Sequence, residues 1–263
     1  MKNSITFLGT GGSRYAMAYQ TLATGGIIVD ADGTQIHIDP GPGSLVRAKQ
    51  FNVDVTKTKI ILVSHEHLDH ANDLNVIIDA MTKGGFAKKG VLITTKAVVE
   101  TALTKYHKDC LDEVVVLEPG KSKEIDGIKI TATKTKDHAD AIGFKIQTKK
   151  FTLGYTADTG YFAELPKQFE KCDILIVNNQ RSFEKPMKDR LSSLETVKLI
   201  EKAKPKLTII TGFGMTVIKA DPIKEARKIE KETGMQVIAA QDGMIIQPAD
   251  YAAETSQHRL NEF

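Results

Sequence analysis

The sequence predicts an α/β chain built as an αββα sandwich: two mixed β-sheets face to face, with helices on the outer faces. Three observations predict it. Short apolar runs and helical stretches follow the order β-rich, α/β, β-rich, α/β, so two similar halves each supply one sheet. Turn pairs (Gly25-Gly26, Asp32-Gly33) join the opening runs as hairpins at a sheet edge. The fingerprint of a doubly wound nucleotide-binding sheet is broken, because Gly9-Thr10-Gly11-Gly12-Ser13-Arg14 carries Arg14 where a third glycine belongs. A P-loop reading of Gly120-Lys121-Ser122 fails in the same way, with Val115 at its first glycine position.

The elements follow in order. Ile5–Leu8, Leu22–Ala23, Ile27–Val29 and Ile36–Ile38 read as strands, and Ile60–Val63 as a buried strand leading to a helix over 72–81. Val91–Thr94 and Val114–Leu117 read as strands with a helix between them. A second β-rich zone covers Ile128–Lys134, Ile142–Thr148, Phe151–Tyr155 and Ile174–Val177. Ser192-Ser193-Leu194-Glu195 is a capping box that opens a helix to about Lys204. Leu207–Thr211 is a strand, Pro222 to Thr233 a helix, and Val237–Ala240 with Met244–Ile246 a closing hairpin. No Pro/Gly/Ser linker interrupts this order, so residues 1–263 read as one domain.

With 263 residues, 41% hydrophobic and 26% charged, the chain has enough apolar surface to fold rather than stay disordered. No apolar run approaches the ~18–20 residues of a membrane span, and the N-terminus lacks the pattern of a secretory signal. Two cysteines (Cys110, Cys172) exclude a disulfide framework and a cysteine zinc site, so the expected compartment is the cytoplasm. A net charge of +3 is too mild to mark a nucleic-acid binder, although residues 83–108 carry a local +5 and residues 121–150 a local +4. Such segments are usually solvated faces, and otherwise draw in phosphates.

Three of the seven histidines stand together in His65-Glu66-His67-Leu68-Asp69-His70. At this chain's His and Asp frequencies, H-x-H-x-D-H arises by chance in roughly one such chain in 3000. It sits between a strand and a helix, where a loop can turn His65, His67, Asp69 and His70 towards one point while Glu66 and Leu68 face away. Imidazole and carboxylate donors suit Zn(II), Fe(II) or Mn(II). Further ligands must come from elsewhere. His138 falls between two strands, and Asp158 and Asp39 each end a strand.

With Phe7-Leu8-Gly9-Thr10-Gly11, Asp39-Pro40-Gly41, the His65–His70 motif, His138 and Asp158 in this order, the chain resembles metallo-β-lactamase-fold proteins over nearly its whole length. It is similar to their tRNase Z and cyclic phosphodiesterase branch. The resemblance implies a two-metal site at one edge of the sandwich. His65, His67 and His138 would hold the first metal, Asp69 and His70 the second, and Asp158 would bridge them, with Asp39 orienting ligands from behind. The family's last histidine is missing: Thr211-Gly212-Phe213-Gly214 stands where a Thr-His-Phe-Gly-like strand end belongs. Asp189-Arg190-Leu191 stands where many relatives have Gly-His-Leu. One or two divalent ions are expected, zinc first, and a histidine restored at 212 should raise occupancy of the second site. His107 and His258 lie at no fitting strand end.

The expected activity is metal-dependent hydrolysis of a phosphodiester or related anion, in which Asp69 manages the attacking water and His70 donates a proton to the leaving group. Arg190 would place a guanidinium near a substrate phosphate. The expected partners are a small-molecule or phosphate-containing substrate and a second copy of the chain. Nucleic acid ranks behind these, because no insertion for a tRNA-binding arm is visible. The alternative is a metal-binding protein of the same fold that binds or senses a ligand without hydrolysis.

Overall fold

In the computed structural model, residues 3–138 and 140–252 are described. Fourteen strands form two seven-stranded sheets among these residues. The first sheet has the order β14-β1-β2-β3-β4-β5-β6, from β14 (Ile245–Ile246), β1 (Ser4–Phe7), β2 (Ile27–Ala31), β3 (Thr34–Ile38), β4 (Thr58–Leu62), β5 (Val91–Thr94) and β6 (Glu113–Val116). The second has the order β13-β12-β11-β10-β9-β8-β7, from β7 (Ser122–Ile125), β8 (Ile128–Lys134), β9 (Ile142–Gln147), β10 (Thr152–Tyr155), β11 (Ile174–Asn178), β12 (Leu207–Thr211) and β13 (Val237–Ala239).

The period-2 alternation of each strand explains the layers. Ile36, Ile38, Ile60 and Leu62 of the first sheet meet Ile174, Ile176, Leu207 and Ile209 of the second in one buried cluster. The alternate residues Ile28, Ile61 and Leu92 face outward into a cluster with Leu74, Ile77 and Ile78 of the helix Leu74–Thr82. On the other side, Leu175, Val177 and Ile210 pack with Leu199 and Ile200 of the helix Ser193–Ala203 and with Ile229 of the helix Pro222–Thr233. The capping box predicted at Ser192 and Glu195 is formed.

Four details depart from the sequence reading. Leu22–Ala23 is not a strand. Ser122–Ile125 is one: it pairs antiparallel with β8 across the Asp126-Gly127 turn. Arg14–Tyr19 forms a short helix after the glycine run. Val237–Ala239 and Ile245–Ile246 do not form a hairpin. The first pairs parallel with β12 and the second antiparallel with β1, so the chain crosses from one sheet to the other between them. No helix among the described residues is long and apolar enough to cross a membrane.

The pairings set where the site can form. β3, β4 and β5 are parallel neighbours, as are β10, β11 and β12. Their carboxyl ends, which carry Asp39, Ser64–His70, Asp158 and Asn178–Gln180, therefore gather at one edge. The amide of Ile142, at the start of β9, donates to the carbonyl of Ser64 (3.0 Å) and ties the two sheets together there.

Candidate metal centre

Asp39 leaves β3 in a left-handed conformation (φ 49°), its amide held by the Leu62 carbonyl at 2.8 Å. Gly41 follows because a Cβ there would lie 2.1 Å from the Thr24 carbonyl oxygen and 2.2 Å from that of Asp69. This close approach presses the 39–43 turn against the histidine loop. The buried Asp39 carboxylate then accepts four hydrogen bonds: from the Ser64 amide (2.7 Å), Ser64 Oγ (2.7 Å), His70 Nδ1 (2.8 Å) and Tyr155 Oη (2.6 Å). Two imidazoles are oriented in consequence. His70 uses its Nδ1 proton on Asp39, so Nε2 presents a lone pair when the ring is neutral and an N–H towards Asp69 and Asp158, each 3.5 Å away, when it is charged. Ser64 Oγ donates to Asp39 and must accept from His65 Nδ1 (3.0 Å), so His65 Nε2 is also a bare lone pair.

Two donor groups result. His65, His67, His138 and Asp158 form one, and Asp69, His70 and Asp158 the other, with the donor atoms of each within 4.8 Å of one another. Asp158 faces both. Its Oδ2 lies 4.0 Å from His65 Nε2 and 3.9 Å from His138 Nε2, and its Oδ1 lies 3.5 Å from His70 Nε2.

The chemistry of the donors fits a cation. Arg190 Nη1 lies 2.6 Å from His138 Nδ1, and a guanidinium can only donate, so the His138 proton is on Nε2. His67 Nδ1 lies 3.1 Å from both His138 Nε2 and His65 Nε2. If His67 Nδ1 is bare it faces the bare His65 nitrogen, and if protonated it faces the His138 proton. One contact is repulsive in either case; a bound divalent ion removes the conflict once Arg190 leaves His138 Nδ1 and the ring proton moves there from Nε2. In the second group, Asp69 Oδ2 and His70 Nε2 are buried without a hydrogen-bond partner among the described residues, a costly state that a cation relieves.

Protonation follows the same field. Burial, with the charge of His70, holds the pKa of His65 well below the usual histidine range. Burial also lowers His138 to about 4; Asp158 opposes this and Arg190 adds to it. Burial opposes charging of His70 too, but Asp158, Asp69 and Asp39 outweigh it and hold the His70 pKa well above the usual range.

At Gly212 the two groups differ. Asn178 Nδ2 donates to Asp158 Oδ1 (3.0 Å) and to Tyr155 Oη (3.2 Å), while Gln180 Nε2 donates to Asp158 Oδ2 (2.7 Å). The Asn178 side chain fills the start of the path a side chain at 212 would take: a Cβ there would lie 2.9 Å from Asn178 Cγ, on a backbone with φ 62°. A space of about 30 Å³, enough for one water, remains beside Asp69, His70, Asn178 and Gly212. A histidine at 212 would therefore require the Asn178 side chain to shift.

The structure brings together His65, His67, Asp69, His70, His138, Asp158, Asp39 and Arg190. His107 is elsewhere, bonded to Thr104 Oγ1 at 2.6 Å and 3.3 Å from Asp79, and His258 lies outside the described residues. The sequence reading missed Ser64, Tyr155, Asn178 and Gln180. Their one visible signal was a polar residue at the end of an apolar strand.

This sandwich, with histidines and carboxylates at the carboxyl ends of both sheets, has the metallo-β-lactamase fold. Residues 34–213 match the family model described as the beta-lactamase superfamily domain, and the chain belongs to that superfamily. The uncharacterised protein MJ1374 of Methanocaldococcus jannaschii is 37% identical over 257 residues, covering 94% of this chain and 96% of its own. Ribonuclease Z of Methanopyrus kandleri is 26% identical over 182 residues, 69% of this chain and 63% of that protein. Among solved structures, the metallo-beta-lactamase fold protein YhfI of Bacillus subtilis superposes with a TM-score of 0.79 at 20% identity, over 94% of this chain and 99% of that one.

Proposed function

We propose that the protein is a metal-dependent hydrolase acting on a phosphodiester or a related anionic small molecule. The observation that carries this reading is the pair of donor groups sharing Asp158, with buried donor atoms that a bound cation would satisfy. His65, His67, His138 and Asp158 would hold the first ion and Asp69, His70 and Asp158 a second, zinc before manganese or iron because imidazoles dominate the first set. A divalent ion there supplies Lewis acidity and lowers the pKa of water.

The chain's own groups do the rest. Asp69, with Oδ2 unpartnered, orients the attacking water and takes its proton. Asp39 fixes the His70 ring through Nδ1, and when His70 is not a ligand its Nε2 is placed to protonate the leaving oxygen. Arg190, 3.8 Å from Asp158 through Nε, is placed to pair with a substrate oxygen. The name of the Methanopyrus kandleri relative, a ribonuclease, supports phosphodiester chemistry.

A second reading, ligand binding without hydrolysis, draws on Asn178 and Gln180, which already hydrogen-bond both oxygens of Asp158. One experiment separates the two. Metal content per chain is measured on untagged protein purified without chelators, together with turnover of bis(p-nitrophenyl) phosphate. One or two ions with turnover that a chelator abolishes supports the hydrolase. Bound metal with no turnover on this or a panel of phosphodiesters, lactones and thioesters supports the binding protein.

A further inference from the structure

The chain has six arginines, and three of them line one cavity. The cavity, about 370 Å³, opens beside the candidate metal centre, with His67, Asp69 and Asp158 in its wall; Arg14, Arg181 and Arg190 line it, and no lysine does. Arg190 belongs to the centre through His138 and Asp158. Arg14 and Arg181 do not, since no hydrogen bond or ion pair joins either side chain to the cluster among the described residues. Arg14 is exposed on the helix Arg14–Tyr19, with no charge partner among those residues. Arg181 uses Nε on the Lys185 carbonyl (2.8 Å), leaving its terminal nitrogens without a described partner. The one acid in the wall that is not a candidate ligand, Asp189, is tied to Arg190 at 3.1 Å.

Two arginines without a described charge partner therefore line the same cavity as the metal centre. Arginine, with its planar fork of donors, recognises phosphate and carboxylate oxygens in a way lysine does not. The loop that carries Arg181, Met187 and Arg190 is closed by bridges between Arg181 and Ser192 and between Met187 and Arg190, so these side chains stand on fixed backbone. Tyr15 and Met187, 61% and 45% exposed, add flat and apolar surface to the same wall.

We propose that this cavity binds a phosphorylated organic compound with a second, separate anionic group. The phosphoryl group to be cleaved lies at the Asp69–Asp158 end, Arg14 and Arg181 hold the second anion, and the organic body packs on Tyr15 and Met187. The first part rests on the hydrolase reading, whereas the hold on the second anion does not.

The test compares adenosine 5′-monophosphate with adenosine 3′,5′-bisphosphate on zinc-loaded protein. Both are measured as inhibitors of bis(p-nitrophenyl) phosphate turnover and directly by calorimetry. The bisphosphate is expected to bind at least about tenfold more tightly than the monophosphate, and the ratio should fall below about threefold in the Arg14→Ala/Arg181→Ala variant. Arg227→Ala, outside the cavity, should keep the wild-type ratio. A wild-type ratio near one overturns the second-anion site even if turnover is robust. A ratio unchanged in the double variant overturns its assignment to these arginines. A high ratio that the double variant loses, without turnover of any phosphodiester, removes the hydrolase reading and leaves the anion site standing.

Discussion

The two donor groups share one carboxylate and one edge of the sandwich, yet they are built differently. The first, His65, His67, His138 and Asp158, is complete: four donors within 4.8 Å of one another, the number of a closed tetrahedral site. The second has three, Asp69, His70 and Asp158, and where the sequence resemblance implied a last imidazole it has the Asn178 side chain over Gly212. A shared fold therefore does not imply equal affinity. Under the proposed reading the first group fills at low metal concentration, and the second needs water, or a substrate oxygen, to complete it.

The largest expected effect tests that difference directly. His65→Ala removes one of four donors from the complete group and should weaken first-ion binding by at least ~100-fold, leaving close to no metal per chain after dialysis. His70→Ala, in the incomplete group, should leave about one ion per chain. Equal losses in the two variants, by elemental analysis against protein concentration, would show that the groups bind as a single unit.

The next test concerns the gap itself. Gly212→His places a β-carbon on a backbone with φ 62° and against Asn178. Left-handed strain costs roughly 1–2 kcal/mol and overpacking roughly 1–3 kcal/mol. The variant should therefore unfold at lower denaturant, less stable by about 2–5 kcal/mol, without gaining metal. Adding Asn178→Ala should recover part of the stability and raise metal content. A single Gly212→His variant that binds more metal at undiminished stability would mean that Asn178 yields easily.

How much of this was readable follows from the reach of each signal. His65–His70 and the strand-end residues Asp39 and Asp158 are local patterns, visible because a loop after a buried strand must aim its polar side chains somewhere. His138 needed the topology as well, since only the antiparallel β9–β10 pair returns the start of β9 to the active edge. Ser122–Ile125 carries no apolar run and was invisible, and a two-residue strand such as Ile245–Ile246 does not reveal which sheet it joins. Asn178, Gln180, Arg14 and Arg181 acquire meaning only from neighbours far along the chain. The lysine-rich stretch was legible as charge but not in its position. Lys89 Nζ bonds the Thr56 carbonyl at 2.6 Å, near the start of β4, whereas His65 follows its end.

Acid is the obvious means of stripping both groups in turn, and His37 sets how far it can be used. This ring is fully buried on β3, with Nε2 3.3 Å from the Gly25 carbonyl. Burial lowers its pKa to about 4, against a smaller opposing pull from that carbonyl and Asp39. In the unfolded chain His37 titrates near 6.5. Between those values the unfolded state binds the extra proton, so stability rises with pH through this window and is lost as pH falls from about 6.5 towards 4. From pH 7 to pH 5 the loss should be about 2 kcal/mol by denaturant titration, and His37→Asn should flatten the slope. If the slope is unchanged in that variant, the acid sensitivity belongs to the metal-site histidines. Chelators near neutral pH are thus the cleaner way to compare the two groups.

The smallest effect is the most specific to the first group. Arg190 donates to His138 Nδ1, which fixes the ring proton on the nitrogen that faces His67. Coordination through His138 Nε2 requires the opposite tautomer, so the arginine must withdraw when the ion enters, and its charge opposes the ion as well. Arg190→Ala should remove both penalties and tighten first-ion binding by about tenfold, on the order of 1 kcal/mol for a partly screened charge. Competition against a calibrated chelator reads this directly. Arg190→Lys keeps the charge but has lost the planar fork, and should fall between the two. If Arg190→Ala instead weakens binding, the arginine is holding His138 in place for the ion, and its contact with Nδ1 belongs to the assembled site.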